Sequence, residues 1–389
     1  MPTEVLSFVK VRASYGVTGD QEIGDFQHTS FYTPSKYNGQ ATLVPRNLAD
    51  PNLSWQQNQS FNIGVDVELL KGRISATADY FVADHTRLLY DQPIAGTTGF
   101  NSVTVNSGQI QDSGFELAIR SFNIKGGDFK WNTSFNISFL KNEIKQLSND
   151  AILVNAYSDI TETHVLKVGQ SLGTFWGLKY LGVNSQTGKA MYDDLNHDGI
   201  IDQRDAQVIG KARPDFYGGI TNNFTYKDFD LSIAMQFSVG NQVYNLTRSV
   251  TNTLGWSNGG GLTSVYANST ADALNYWKQP GDNAAYPKPS YFDKPFVAEN
   301  SSAFVEDGSF LRFRTINLGY TIRPKVGAKS GFRSLRVFAQ VQNAFIITKY
   351  TGYDPEVSAT GGSNDRTAGL DYFTYPHPRT FTFGFNVGF

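Results

Sequence analysis

Apolar residues recur at every second position over long stretches of this chain. In "RTFTFGFNVGF" (379–389), Phe381, Phe383, Phe385, Val387 and Phe389 alternate with Thr380, Thr382, Gly384, Asn386 and Gly388. "FNIGVDVEL" sets Phe61, Ile63, Val65, Val67 and Leu69 against Asn62, Asp66 and Glu68, and "WNTSFNISF" sets Trp131, Phe135, Ile137 and Phe139 against Asn132, Ser134, Asn136 and Ser138. "LSIAMQFSV" (231–239) and "VKVRASYGV" (9–17) follow the same rule. A period of two places alternate side chains on opposite faces of a strand. No helical stripe of useful length competes with it. The alternation predicts about ten strands, at 6–18, 57–70, 73–90, 107–122, 128–145, 214–226, 229–243, 309–323, 335–348 and 379–389. Most exceed the usual ~5–6 residues of a globular strand and reach the ~9–11 that cross a bilayer at a tilt.

The predicted connections alternate in length. Short turns fall at Lys71-Gly72, "NIKGGD" and "YKDF", with a longer one at "RPKVGAKSG". Long connections span 19–56, 91–106, 146–213, 244–308 and 349–378. Short turns at one end and long loops at the other are the wiring of an outer-membrane barrel, whose short turns are periplasmic. The expectation is an all-β, antiparallel, transmembrane β-barrel, with the apolar row facing lipid and the C-terminus periplasmic. The competing reading from pattern alone is a soluble propeller or large sandwich.

Composition sharpens this. Charged residues are only 17% and aromatics 14%, unlike a charge-rich soluble surface. A formal net charge of −2 gives no nucleic-acid signal. With no cysteine there is no disulfide scaffold, thiolate metal site or cysteine nucleophile. No apolar run approaches a spanning helix, and no signal peptide is visible at the N-terminus.

Several stretches together resemble the SusC/RagA family of TonB-dependent outer-membrane importers of the Bacteroidota: "VRASYGVTGDQEIG", "DPNLSWQQNQSFNIGVDVEL", "NSGQIQDSGFEL", "DLNHDGIIDQRDAQVIGKARPDFYGG", "SFLRFRTINLGY", "QNAFIITKYTGYDPEVS" and the terminal "RTFTFGFNVGF". The resemblance implies a barrel of about 22 strands, an N-terminal plug, a segment that engages the TonB complex, and a SusD-like surface lipoprotein as lid. Residues 1–389 then look like the C-terminal part of the barrel, with plug and N-terminal strands absent. The implied function is energy-coupled import of a large nutrient. A glycan is the first expectation and a peptide the second; a passive porin-type barrel is the alternative.

One motif carries possible ion chemistry. In "DDLNHDGIIDQRD", Asp194, Asn196, Asp198, Gly199, Ile200, Asp202 and Asp205 occupy positions 1, 3, 5, 6, 7, 9 and 12 of an EF-hand-like loop. Hard oxygens around one point suit Ca²⁺, with the Ile200 carbonyl as backbone ligand. Asp at position 12 gives a shorter clamp than Glu, and no clear helix precedes the loop. A solvated acidic turn is the plain alternative. The loop aromatics Phe175, Trp176, Tyr180, Trp256, Tyr266, Tyr276, Trp277, Tyr286, Tyr291 and Phe292 either stack on sugars or form the loops' own cores, and the second reading is favoured for most. Lys10, Arg12, Glu116 and Arg120 project to the polar face, as a lumen lining or a solvated wall. His28, His85, His164, His197 and His377 show no metal-ligand spacing, and no nucleophile motif is present. Asp193-Asp194 falls inside the acidic loop. No catalytic residue, and no enzyme, is expected.

Overall fold

Ten long strands follow one another across a single sheet, each hydrogen-bonded antiparallel to the next. They are β1 (Leu6–Asp20), β2 (Gln56–Leu69), β3 (Ile74–Thr86), β4 (Gln109–Ile124), β5 (Phe129–Gln146), β6 (Phe216–Tyr226), β7 (Phe229–Val239), β8 (Phe310–Ile322), β9 (Ser334–Thr348) and β10 (Thr380–Gly388). The computed structural model describes all residues except 1–4, 21–27, 101, 155–161, 253–268, 290–299, 325–332 and 359–364. Among the described residues, β1 and β10 each pair on one side only, so the sheet is an open wall of a barrel. No described helix is long and apolar enough to cross a membrane, which leaves strand crossing untouched.

The register builds one apolar band from row to row. Val65 of β2 faces Val11 and Ala78. Leu117 of β4 faces Ala78 and Ile137. Leu318 of β8 faces Leu231 and Ala339, and Ala339 faces Phe383 of β10. Aromatics mark both ends of the band. Tyr80, Phe115, Phe139 and Phe216 lie side by side toward the long connections. Toward the short turns, Trp131 stacks on Phe224 at 5.7 Å and Phe229 meets Tyr320 at 4.6 Å. On β5 the eleven residues from Phe129 to Phe139 span ~33 Å of strand, or ~25 Å of membrane at a ~40° tilt. That is the height of an outer-membrane apolar band with its aromatic girdles.

The alternation is not pure. Thr133 and Asn222 lie on the outward face. There the Trp131 indole and the Thr133 hydroxyl donate to Asn222 Oδ1 at 3.0 and 2.8 Å, and Asn123 donates to Thr133 at 2.8 Å. Asn222 Oδ1 and the Trp131 and Thr133 donors thus satisfy one another beside the lower aromatic row.

The inward face is polar and cross-linked. Arg12 on β1 reaches Asp66 on β2 at 2.8 Å and Asp79 on β3 at 3.0 Å. Gly64 lies beneath this bridge, and a Cβ there would come within 2.7 Å of the guanidinium. Arg336 on β9 likewise crosses Gly319 to reach Asp230 on β7, where it also donates to Asn317. Two predicted strands are shortened. β3 ends at Thr86, and Leu89–Pro93 forms a separate hairpin with Ser102–Asn106. β7 ends at Val239 because Gly240 turns the chain at φ 86°.

Neighbours on β10 separate the two faces at one depth. Phe383→Lys should cost about 2–4 kcal/mol at mid-membrane, whereas Thr382→Lys, one residue away on the inner face, should cost little. Folding of a complete barrel carrying each change into lipid vesicles, followed by urea titration, checks this; equal costs would reverse the facing.

Candidate functional site

The long connections are not loose. Phe175 from residues 147–215, Tyr244, Leu246 and Phe304 from 240–309, and Leu370 from 349–379 share one buried core. Phe175 meets Tyr244 edge-on at 5.5 Å. Around it lie a four-stranded sheet (Ala151–Val154, His164–Lys167, Thr174–Gly177, Gln207–Lys211) and a three-stranded one (Val305–Asp307, Gln242–Asn245, Leu370–Asp371). Three long connections thus fold into one body at one end of the wall. Of the loop aromatics, Phe175 lies in this core and Tyr180 packs against it. Phe175 is buried, Trp277 packs on Gly188 and donates to the Ser185 carbonyl at 2.8 Å, and Tyr286 accepts from Asn252 at 2.5 Å. Trp176, Tyr180 and Tyr276 are half-buried. Trp256, Tyr266, Tyr291 and Phe292 lie outside the described residues.

The acidic loop connects the hairpin strand Ala190–Tyr192 to Gln207–Lys211. Its carboxylates close it on its own backbone. Asp194 Oδ2 accepts from the Gly199 amide at 2.9 Å, Asn196 Oδ1 from Asp198 at 2.9 Å, and Asp198 Oδ1 from Ile200 at 2.8 Å. Asp205, fully buried, takes the amides of Leu195 and Asp202 at 3.0 and 2.9 Å. Asp202 caps the 3-10 turn Gln203–Asp205, and Arg204 lies over Asp198 at 2.8 Å and Asp202 at 2.7 Å. Arg204 holds the Asp202 carboxyl below the usual carboxylate range. Asp194 Oδ1 is buried without a hydrogen-bond partner. Among the described residues no three acidic or imidazole groups gather around one point. The loop therefore has the order of donors that a calcium loop needs, with an arginine as its internal cation.

At the rim of the wall, residues 350–358 fold against the inner face. Arg312 on β8 faces Gln236 across the sheet and is 4% exposed; it pairs with Asp354, itself 3% exposed. Glu356 lies 3.2 Å from the Arg312 guanidinium, and His377 bonds Asp354 at 2.8 Å. Burial opposes ionisation of Asp354, but hydrogen bonds from His377 and from the Glu356 and His377 amides, with Arg312 alongside, hold its carboxyl below the usual range. Sequence reading had no access to this group. Its only trace is an Arg at an inward position of β8, and the partner lies 42 residues on.

The remaining polar candidates divide. Arg12 is a cross-strand tie, Glu116 accepts from Ser138 at 3.3 Å, and Arg120 lies over Phe122 at 5.4 Å. His164 is buried in the loop body. Its Nε2 contacts the Ala368 carbonyl at 3.0 Å, which can only accept, so the ring is the Nε2–H tautomer and Thr163 donates to Nδ1 at 2.8 Å. Burial pushes its pKa down to about 4, against the pull of the Ala368 bond.

That shift sets a pH response. The unfolded imidazole titrates near ~6.5, so stability of the loop body is fully present above that pH. It falls as pH drops toward about 4, by roughly 3 kcal/mol in all. Protection factors of the Val165 and Leu166 amides, which correct for the intrinsic pH dependence of exchange, should fall between pH 7 and pH 5 more than those of wall amides; no differential change would reject a neutral buried His164.

Known proteins show the same wall. Residues 2–209, more than half of the chain, match the family model described as TonB dependent receptor-like, beta-barrel. The TonB-dependent receptor P3 of Formosa agariphila is 32% identical over 98% of this chain and 39% of that relative. The TonB-dependent receptor SusC of Bacteroides thetaiotaomicron is 31% identical over 99% of this chain and 38% of its own length. The chain thus spans about two fifths of the curated relatives it matches. The structure of the RagAB peptide transporter superposes with a TM-score of 0.82 at 24% identity, over 99% of this chain and 41% of that one. The chain belongs to the TonB-dependent receptor β-barrel family of the bacterial outer membrane, and is of the SusC/RagA type.

Proposed function

We propose that these strands form part of a receptor of about 22 strands that imports a large nutrient across the outer membrane, driven by the TonB complex. A glycan is the first substrate class. The resemblance to SusC/RagA proteins supplies the partners: a SusD-like surface lipoprotein over the loop body, and a plug, not among these residues, that TonB displaces. The observation that carries the reading is the lopsided wall. Three long connections fold into one body at one end, short turns close the other, and an apolar band of membrane height separates them. In this reading the long connections are extracellular, the short turns and the C-terminus are periplasmic, and the protein does no covalent chemistry. Deleting the gene should abolish growth on the glycan cargo, and removing TonB should do the same with the receptor intact. Uptake that survives without TonB would make the barrel a passive porin.

A second reading is peptide import, the cargo named for the RagAB transporter whose wall this one matches in fold. Among the described loop aromatics Phe175 is buried and Trp176, Tyr180, Tyr276, Trp277 and Tyr286 are half-buried, so none offers a fully open stacking face for a sugar. Growth tests with defined peptides and defined oligosaccharides, each as sole source, separate the two.

The acidic loop is proposed to take Ca²⁺ through Asp194, Asn196, Asp198, Asp205 and the Ile200 carbonyl, with Asp202 contributing once Arg204 swings away. The buried, unpartnered Asp194 Oδ1 supports this reading. Extracellular calcium modules bind at ~10⁻⁴–10⁻³ M. Calorimetry should register binding in that range, lost in Asp194→Ala/Asp198→Ala and strengthened in Arg204→Gln. No heat from wild type or from Arg204→Gln at millimolar calcium would leave a solvated acidic turn.

A further inference from the structure

Outside the wall, at the upper edge of the apolar band, lies a cavity of about 430 Å³. Its floor is three side chains in register on adjacent strands: Tyr80 on β3, Phe115 on β4 and Phe139 on β5. All three are exposed large rings on the face that meets lipid. Its rim is basic. Lys141 follows Phe139 by two residues on the same face of β5, ~7 Å further along the strand. Lys211 and Arg213 arrive from the segment that leads into β6. A hydrophobic floor continuous with the membrane band, topped by cations one step higher, is the profile of a lipid lying against a wall with its headgroup at the interface.

The cations have only loose partners in the chain. Lys141 leans on Glu143 at 2.7 Å, a carboxylate it shares with Lys145 at 2.8 Å. Lys211 pairs with Asp215, and Arg213 with the exposed Asp365 at 3.1 Å. Four basic groups thus face three acidic ones. Exposed pairs of this kind hold weakly in water, so a multiply charged phosphate can draw the basic ends together, Arg213 as a fork and the lysines as point charges. The ligand's chains must be apolar, because nothing else is compatible with the Tyr80–Phe115–Phe139 floor inside the lipid band.

We propose that this cavity binds one phosphorylated, multi-chain lipid of the leaflet on the long-connection side. Its acyl chains lie across Tyr80, Phe115 and Phe139, and its phosphate lies among Lys141, Lys211 and Arg213. The choice of leaflet rests on the topology proposed above; the site itself does not.

The test uses a complete receptor barrel containing this chain, purified in detergent and followed by native mass spectrometry. The probes are bis-phosphorylated lipid A, the same lipid with its phosphates removed, and inorganic phosphate. Wild type should retain one lipid A. Lys141→Gln/Lys211→Gln/Arg213→Gln should reduce retention about tenfold, and Phe139→Ala should reduce it without affecting the charge preference. Lys141→Arg/Lys211→Arg should retain lipid A, which separates lost charge from lost fold. Dephosphorylated lipid binding as well as lipid A, unchanged retention in the triple variant, or displacement of lipid A by millimolar inorganic phosphate would each overturn the proposal. A receptor that fails to import yet keeps this lipid would refute the transport reading and leave the lipid site standing.

Discussion

A peptide N–H in hydrocarbon has no water to turn to, so a lipid-facing strand must find its partners in neighbouring strands. The wall follows from that requirement. Nine antiparallel ladders run from β1 to β10 without a crossover, and each strand between the ends is paired on both sides. Continuous pairing fixes the register, and the register aligns Val, Ile, Leu and Phe of successive strands into one band. A slip of one residue would turn a whole strand's apolar row to the inner face. The edges of β1 and β10 obey the same rule, so both must be paired wherever this wall meets lipid.

With the outer face committed to lipid, polar chemistry is confined to the inner face and to the ends. On the inner face it becomes cross-linking: Arg12 ties β1 to β2 and β3, and Arg336 ties β9 to β7. Glycines 64 and 319 are empty of side chain where a guanidinium lies flat on the sheet. At the ends, chain length decides. Turns of a few residues have no core of their own. Three of the long connections do, because together they supply Phe175, Tyr244, Leu246, Phe304 and Leu370. The Arg312–Asp354 pair joins that body to the wall, and removing either partner would leave the other's buried charge with one neighbour only, Glu356 for Arg312 or His377 for Asp354.

The loop body also shows why aromatic side chains are poor markers of function. In the sequence Trp277 and Tyr286 fit either sugar stacking or the loops' own packing; in the structure Trp277 packs on Gly188 and Tyr286 takes a hydrogen bond from Asn252. Long loops need their own apolar interior, and large rings are its cheapest source. The outward faces of Tyr80, Phe115 and Phe139 remain, and they belong to the membrane side of the wall.

Sequence by itself determined the strands of the wall, because lipid on one side and polar contents on the other impose a period of two that no packing detail can hide. It determined the order of donors in the acidic loop, since those ligands are local. Boundaries were less legible. Leu89-Tyr90 continues the alternation of β3, and Gln242–Asn245 that of β7, so only Thr86 and the turn at Gly240 reveal where the wall ends. Tertiary structure alone decided that His164 is buried and neutral, that Arg312 meets Asp354, and that three connections share one core. The physical reason is distance along the chain. A periodic face is written in neighbouring residues, whereas pairs such as Arg312–Asp354, and a core drawn from three separate connections, exist only after the wall has brought remote segments to the same end.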